Sequence, residues 1–245
     1  MSGGRLGVLS REEMPRVIGG WLFLAMLTSA FARIEPAPFD ILICGWFAVS
    51  FLVAGFAYHS RMRLPVVGVV LFIVTTFATL PNTRLSGFTI RFAAVSLYLG
   101  VLWFFLVQFI LRYGDRAKDL IVRGWVFSAI ASTVLTLALY FFQLPGVDIV
   151  ARQGRVFGFF KDPNVYSAYL VFPFIFCLSR SIRAQRAAKF WWAFSFMVIA
   201  AGLLVTYSRA AWGTSVLSVA AYAGIGILSK SKRGANGKGV LAFGA

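Results

Sequence analysis

The sequence predicts an all-α polytopic membrane protein, and three observations lead to this fold class. Hydrophobic residues make up 60% of the chain, charged residues make up only 13%, and the mean hydropathy is +0.82. Water is a poor solvent for a surface of this composition. Apolar runs of the length that crosses a bilayer, about 17 to 25 residues, recur along the whole chain. The basic residues lie mainly in the gaps between these runs.

We expect about eight transmembrane helices. The predicted spans are 17–32, 39–58, 64–80, 92–111, 120–144, 165–179, 190–207 and 210–228. The sixth is the shortest, so we expect it to include flanking residues such as Asp162, Pro163 and Asn164. Residues 240–245 are apolar again, which predicts the start of a ninth span. Residues 1–245 are thus expected to be one transmembrane helical domain, the N-terminal portion of a longer protein.

The distribution of basic residues predicts the orientation of these spans. Taking alternate gaps, the N-terminus, residues 59–63, 112–123, 180–189 and the tail hold 17 of the 24 Lys and Arg residues. Loops rich in Lys and Arg stay in the cytoplasm, so the N-terminus is predicted to be cytoplasmic. The segment 229–239 is then a basic cytoplasmic loop, and 145–164 is an extracytoplasmic Arg-rich loop. The remaining seven basic residues are extracytoplasmic: Arg33, Arg84, Arg91, Arg152, Arg155, Lys161 and Arg209.

The net charge of +16 is therefore a signal of topology and of contact with anionic membrane lipids. Nucleic acid is not an expected partner. Cys44 and Cys177 lie inside apolar runs without the spacing of metal ligands, so they indicate no metal site. No cofactor is expected.

The predicted extracytoplasmic loop contains the segment that carries chemistry. Arg152 and Arg155 lie three residues apart, and Lys161 precedes the sixth span. Asp162 followed by Pro163 is typical of a helix N-terminus, since Asp caps exposed N–H groups and Pro is tolerated at the first helical position. Arginines beside the positive end of a helix dipole favour an anion such as a phosphate or diphosphate. The alternative interpretation is a capped helix whose arginines only anchor the membrane interface.

A second basic site is predicted where spans 7 and 8 meet. Residues 206–210 leave room only for a tight turn, which holds Arg209 at the outer edge of the membrane. An arginine at the bilayer centre costs about 2.5 to 3.5 kcal/mol on the insertion scale. Arg209 is thus expected to extend outward into water or to pair with an anion.

Two motifs together resemble the bacterial O-antigen ligase and O-antigen polymerase superfamily. They are RVFGFFKDPN over residues 155–164, at the start of one span, and YSRAAW over residues 207–212, at the start of another. The resemblance implies a glycosyltransferase at the outer face of the bacterial inner membrane. Such an enzyme moves a glycan from undecaprenyl diphosphate to a sugar hydroxyl on lipid A–core or on another lipid-linked repeat unit, without a metal.

The resemblance also implies roles for individual residues. Arg155 and Arg209 are assigned to the diphosphate, and Arg152 and Lys161 to secondary phosphate contacts. Asp162, Pro163 and Asn164 have structural or polar roles at the helix start. The family places a histidine, the proposed general base, in a large extracytoplasmic loop beyond these spans. The histidine of this chain is His59, on the predicted cytoplasmic side, so these 245 residues alone are expected to be inactive.

Two other function classes stay open at this point. One is a transporter or non-catalytic binding protein for an anionic lipid-linked glycan. Coupled transporters usually carry ionisable groups inside the spans, whereas the eight acidic residues here lie in gaps or at helix ends. The other is a structural membrane subunit.

Overall fold

The structure, a computed structural model, describes residues 13–54, 62–79 and 86–241, and gives only the backbone for residues 54, 86 and 227–241. Several predictions from the sequence fall outside these residues: the N-terminal Arg5 and Arg11, His59 with Arg61, Arg84, and the last four residues of the predicted ninth span. The side chains of the basic tail from Lys230 to Lys238 are outside them as well.

The described part of the chain folds into eight α-helices, as the sequence predicted. They are α1 (Arg16–Leu27), α2 (Pro38–Ala54), α3 (Arg63–Ala78), α4 (Ser86–Tyr113), α5 (Asp115–Phe141), α6 (Pro163–Arg183), α7 (Arg186–Val205) and α8 (Arg209–Leu241). Between α5 and α6 lie a 3-10 helix at Val147–Ile149 and two short strands, β1 (Ala151–Arg152) and β2 (Arg155–Val156).

Four of these helices are long and apolar enough to cross a membrane. They are Gly87–Tyr113 in α4, and the whole of α5, α6 and α7. Helices α1, α2 and α3 are apolar but shorter. Many large apolar side chains on these helices face outward, among them Phe88, Phe190 and Met197, which suits lipid better than water. The chain is therefore an all-α membrane-embedded protein.

The described part of the chain packs as two compact units. The first comprises the described parts of residues 1–25 and 40–123, and the second comprises the described parts of residues 26–39 and 124–245. In the first unit, the indole of Trp46 is buried and donates to the carbonyl of Ile18 at 3.1 Å. The indole of Trp21 donates to the carbonyl of Leu42 at 2.9 Å. These two bonds join α1 to α2.

The second unit holds a buried row of hydroxyl groups on α5. Ser132, Thr133 and Thr136 are fully buried there. The hydroxyl of Thr133 lies 3.0 Å from that of Tyr166 on α6, which is also fully buried. A hydrogen bond between helices replaces one that water would make, so the contact between Thr133 and Tyr166 helps to hold α5 against α6.

Close contact between α7 and its neighbours depends on Gly202. A Cβ atom added at Gly202 would lie 2.6 Å from Cγ2 of Thr133 and 3.3 Å from Cδ1 of Leu170. Small residues at helix contacts allow backbones in a membrane to approach closely. Gly202 therefore brings α7 against both α5 and α6.

The start of α6 confirms the predicted cap. The carboxylate of Asp162 accepts a hydrogen bond from the backbone N–H of Asn164 at 2.7 Å, and Pro163 is the first residue of the helix. Helix α6 thus begins before the apolar run itself, as the sequence predicted for this short span. Its first turn is fixed beside the loop that carries the basic residues.

We expect Asp162→Ala to lower the free energy of unfolding by about 1 kcal/mol, because it removes this cap. Asp162→Asn keeps an acceptor at the same position and should change stability little. Thermal unfolding of the purified protein in detergent measures both variants. Equal losses for Ala and Asn would assign the effect to the charge and not to the cap.

The last helix differs from the expectation. Its backbone is helical through residues 229–239, where the sequence predicted a basic loop. Lys, Arg and Ala favour helix, and three interspersed glycines weaken it by only about 1 kcal/mol each. The glycines that indicated a loop are therefore compatible with an extended α8.

Candidate functional site

The α5–α6 connection is built around a hairpin that places two arginines opposite each other. Strands β1 and β2 pair antiparallel, with Arg152 opposite Arg155. The two residues between them, Gln153 and Gly154, have φ values of 52° and 75°. Positive φ at both central residues is the geometry of the two-residue turns that close hairpins tightly. Directly opposed side chains lie on the same face about 4.5 to 5.5 Å apart at Cβ, so the two cations repel each other.

The residues after the hairpin fold back onto it. The carbonyl of Val150 accepts from the backbone N–H groups of Phe157 at 2.8 Å and Gly158 at 3.1 Å. Gly158 has a φ of 56°, and a Cβ there would lie 2.9 Å from the ring of Tyr166. The backbone thus turns directly against a buried aromatic ring of α6. This turn orients the hairpin relative to the start of that helix.

Arg155 connects the hairpin to two helix starts. Its Nε donates to the carbonyl of Thr206 at 3.2 Å. Its Nη2 lies 3.5 Å from both the carbonyl of Tyr207 and the side-chain Oδ1 of Asn164. The guanidinium group therefore touches the first turn of α6 and the turn between α7 and α8.

The α7–α8 turn is as tight as the sequence predicted. Helix α7 ends at Val205 and α8 begins at Arg209, with Tyr207 at a φ of 51°. The hydroxyl of Thr206 donates to the carbonyl of Leu203 at 2.7 Å and accepts from the backbone N–H of Ser208 at 3.3 Å. These bonds fix Arg209 as the exposed first residue of α8.

A cavity of about 450 Å³ lies beside the hairpin and is strongly basic. Its lining consists of Arg33, Arg152, Gln153, Arg155, Phe157, Lys161 and Pro163. Four of these seven residues are cations. The electrostatic potential in such a cleft is positive and attracts anions.

Arg33 reaches this cavity from the connection between α1 and α2. Its Nη1 donates to the carbonyl of Ile149 at 2.7 Å, and its guanidinium carbon lies 5.3 Å from the ring centroid of Phe157. The same connection supplies Glu35, which forms an ion pair with Lys161. Two segments far apart in sequence therefore build the cavity.

A second, mostly apolar cavity of about 460 Å³ lies along α6 and α8. Asn164, Ser167, Phe172 and Ile175 line it from α6, and Ala211, Thr214 and Ser218 line it from α8. Asn164 thus contributes to this cavity while also contacting Arg155, which lines the basic one.

The structure brings together most of the predicted site residues. Arg152, Arg155, Lys161 and Pro163 all line the basic cavity. Asp162 caps α6 between two of these residues, and Asn164 contacts Arg155 from the first turn. Arg209 lies outside the lining of that cavity and is linked to it through the turn that Arg155 contacts.

Three lining residues were not predicted as site residues from the sequence: Arg33, Gln153 and Phe157. Phe157 was noticed only as part of the first motif. Arg33 carried a usable signal, because it belongs to the smaller set of seven basic residues that the sequence predicts to be extracytoplasmic. Gln153 carried none.

The fold and the site together define a membrane-embedded helical protein with a basic cavity beside the first turn of one long apolar helix. Searches with protein-family models and comparisons with curated proteins and with solved structures found no match to this chain.

Proposed function

We propose that this protein is a membrane glycosyltransferase of the O-antigen ligase and polymerase type. It is a multi-pass protein of the bacterial inner membrane, with eight spans and a cytoplasmic N-terminus. The basic cavity then faces outward. It binds the diphosphate of an undecaprenyl-diphosphate-linked glycan, and the acceptor is a sugar hydroxyl of lipid A–core or of a growing polysaccharide.

The contacts of Arg155 are the observation that carries this proposal. The two motifs behind the family resemblance are about forty residues apart in sequence, and each opens a different helix. Arg155 belongs to the first motif and hydrogen bonds to the carbonyl of Thr206, immediately before the second. Its contact with Asn164 completes the link within the first motif. Such convergence of separate segments is expected for a built binding site, whereas interface anchors need none.

The chemistry follows from the charges. The acceptor hydroxyl attacks the anomeric carbon of the donor sugar, and the bond between that carbon and the diphosphate oxygen breaks. The leaving undecaprenyl diphosphate gains the negative charge, which Arg155 and Arg209 stabilise, with Arg152 and Lys161 as secondary contacts. The proton of the hydroxyl passes to a general base, which the family resemblance places in an outer loop. Asp162 is committed to capping α6 and is not that base.

A transfer assay tests the proposal. The protein expressed from its natural gene is reconstituted in nanodiscs with an undecaprenyl-diphosphate-linked glycan and either lipid A–core or a second lipid-linked glycan. We expect a new glycosidic bond and free undecaprenyl diphosphate in equal amounts. The acceptor that reacts distinguishes a ligase from a polymerase.

Two outcomes contradict the proposal. If deletion of the gene leaves the surface polysaccharide unchanged, the protein has no role in its synthesis. If the protein moves the intact lipid-linked glycan across a liposome membrane without cleaving the bond between sugar and diphosphate, it is a transporter and not a glycosyltransferase.

A further inference from the structure

We infer that Arg33 is a further diphosphate-binding residue of the basic cavity, and that Glu35 lowers the affinity of this cavity through Lys161. This inference rests on the proposed function, which supplies the class of ligand, a lipid-linked diphosphate. It adds the connection between α1 and α2 to a site that the sequence motifs place entirely after residue 150.

The position of Arg33 is fixed by the protein before any ligand binds. One nitrogen, Nη1, bonds to the carbonyl of Ile149, and the guanidinium carbon lies over the ring of Phe157, which is itself buried. Arginine on an aromatic face retains its charge and keeps its remaining N–H donors in a fixed fork. Nε and Nη2 of Arg33 are therefore held in place at the wall of the cavity.

Arg155 is more fully committed to the protein than Arg33. Its Nε and Nη2 already meet two backbone carbonyls and the side chain of Asn164. The donors that the cavity offers to a ligand accordingly come in larger part from Arg33, Arg152 and Lys161. Arg155 contributes charge and holds the α7–α8 turn in place.

The charge balance of the cavity favours a multiply charged anion. Arg152 and Arg155 are directly opposed on one hairpin, and Arg33 and Lys161 line the same 450 Å³. Lys161 is paired with Glu35, and both side chains are more than half exposed, at 53% and 73%. A diphosphate relieves the repulsion among the cations and forms charge-assisted hydrogen bonds with several of them. Glu35 competes for Lys161 and repels the same ligand.

The expected ligand is a diphosphate, which could be lipid-linked, as in a prenyl diphosphate, or soluble. Binding is measured with two probes, inorganic pyrophosphate and farnesyl diphosphate, on the protein in phosphatidylcholine nanodiscs. A parallel set in phosphatidylglycerol nanodiscs tests a phospholipid headgroup as the occupant. Thermal unfolding of every variant reports whether it is folded.

We expect Arg33→Gln to weaken binding of both probes about tenfold or more, since it removes a charged donor. Arg33→Lys keeps the charge but not the fork, so it should recover part of the affinity. Glu35→Gln should tighten binding about two- to fivefold, as expected for an exposed ion pair. Arg116→Gln, at an exposed arginine near the start of α5, is the matched control and should change nothing.

Three results would overturn the inference. One is equal affinity of the wild type and Arg33→Gln for both probes. Another is unchanged or weaker binding in Glu35→Gln. The third is competition by phosphatidylglycerol: if this lipid displaces both probes from the wild type, and the displacement requires Arg33, the cavity is a phospholipid site.

The inference and the proposed function fail separately. If diphosphate binding depends on Arg33 but the protein transfers no glycan, the inferred binding site stands and the proposed enzymatic function is wrong. If the wild type transfers glycan and the Arg33→Gln variant is fully active, the proposed enzymatic function stands and the role inferred for Arg33 is wrong.

Discussion

Arg155→Ala and Arg209→Ala are each expected to reduce glycan transfer by at least about a hundredfold, because each removes a cation that stabilises the leaving diphosphate. A loss of this size is typical when one preorganised donor to a developing negative charge is deleted. Both variants should still insert into the membrane, since neither residue lies in the middle of an apolar helix. Product formation in the nanodisc assay measures transfer, and membrane fractionation measures insertion.

The two variants differ in what else they disturb. Arg155 holds the carbonyls of Thr206 and Tyr207, so its loss also loosens the α7–α8 turn. The side chain of Arg209 makes no hydrogen bond, ion pair or ring contact with the residues that the structure describes, so its loss removes mainly charge. We therefore expect Arg155→Ala to lower the melting temperature and Arg209→Ala to leave it unchanged.

Lysine substitutions separate charge from geometry. Arg155→Lys is expected to stay inactive, because one ammonium group does not replace a planar fork that spans several acceptors. Arg209→Lys should retain part of the activity, since its position requires mainly a positive charge. Full transfer by both alanine variants, with Arg116→Ala as the matched control, would remove the arginine pair from the mechanism.

Local chemistry explains which parts of the fold were predictable. The apolar runs located all eight helices of the described chain, because a helix that contacts lipid must be apolar over most of its length. Asp162 and Pro163 located the start of α6 for an equally local reason, since capping depends on residues within one turn. Sidedness and the number of membrane crossings stay predictions.

Non-local packing explains what the sequence did not predict. Arg33 reaches the cavity only because the α1–α2 connection folds onto Ile149, which is 116 residues later in the chain. No pattern within a short window encodes that approach. The hairpin was missed for a different reason. Strands of two residues are too short to show alternation, although Gln153-Gly154 resembles the Asn-Gly pairs of tight turns.

Residues with two roles also limit prediction. Arg155 was predicted as a ligand for phosphate, and the structure shows that it also joins three segments of the protein. Gly158 was noticed only as part of a motif. Its physical requirement, a left-handed backbone against the ring of Tyr166, depends on a residue of α6.

Gly158→Ala is expected to lower the free energy of unfolding by about 2 to 5 kcal/mol, the sum of two unfavourable terms. The first is the left-handed conformation, at a φ of 56°, which costs a residue with a Cβ about 1 to 2 kcal/mol. The second is overpacking, because the new Cβ would lie 2.9 Å from the ring of Tyr166. That ring is fully buried and its hydroxyl is bound to Thr133, so it has little room to shift.

Gly154→Ala is the matched control, since Gly154 has a φ of 75° and open space where its Cβ would point. Gly154→Ala introduces the same left-handed backbone strain but no clash with a ring, so we expect it to lower the free energy of unfolding by only about 1 to 2 kcal/mol. The difference between the two variants, measured by thermal unfolding in detergent, isolates the contact with Tyr166. Gly158→Ala should cost less in the Tyr166→Leu background than in the wild type, because the smaller side chain leaves room for the new Cβ. Equal destabilisation by Gly154→Ala and Gly158→Ala would show that the ring does not constrain the loop. The orientation of the hairpin would then depend on its other contacts, among them the hydrogen bonds of Arg155.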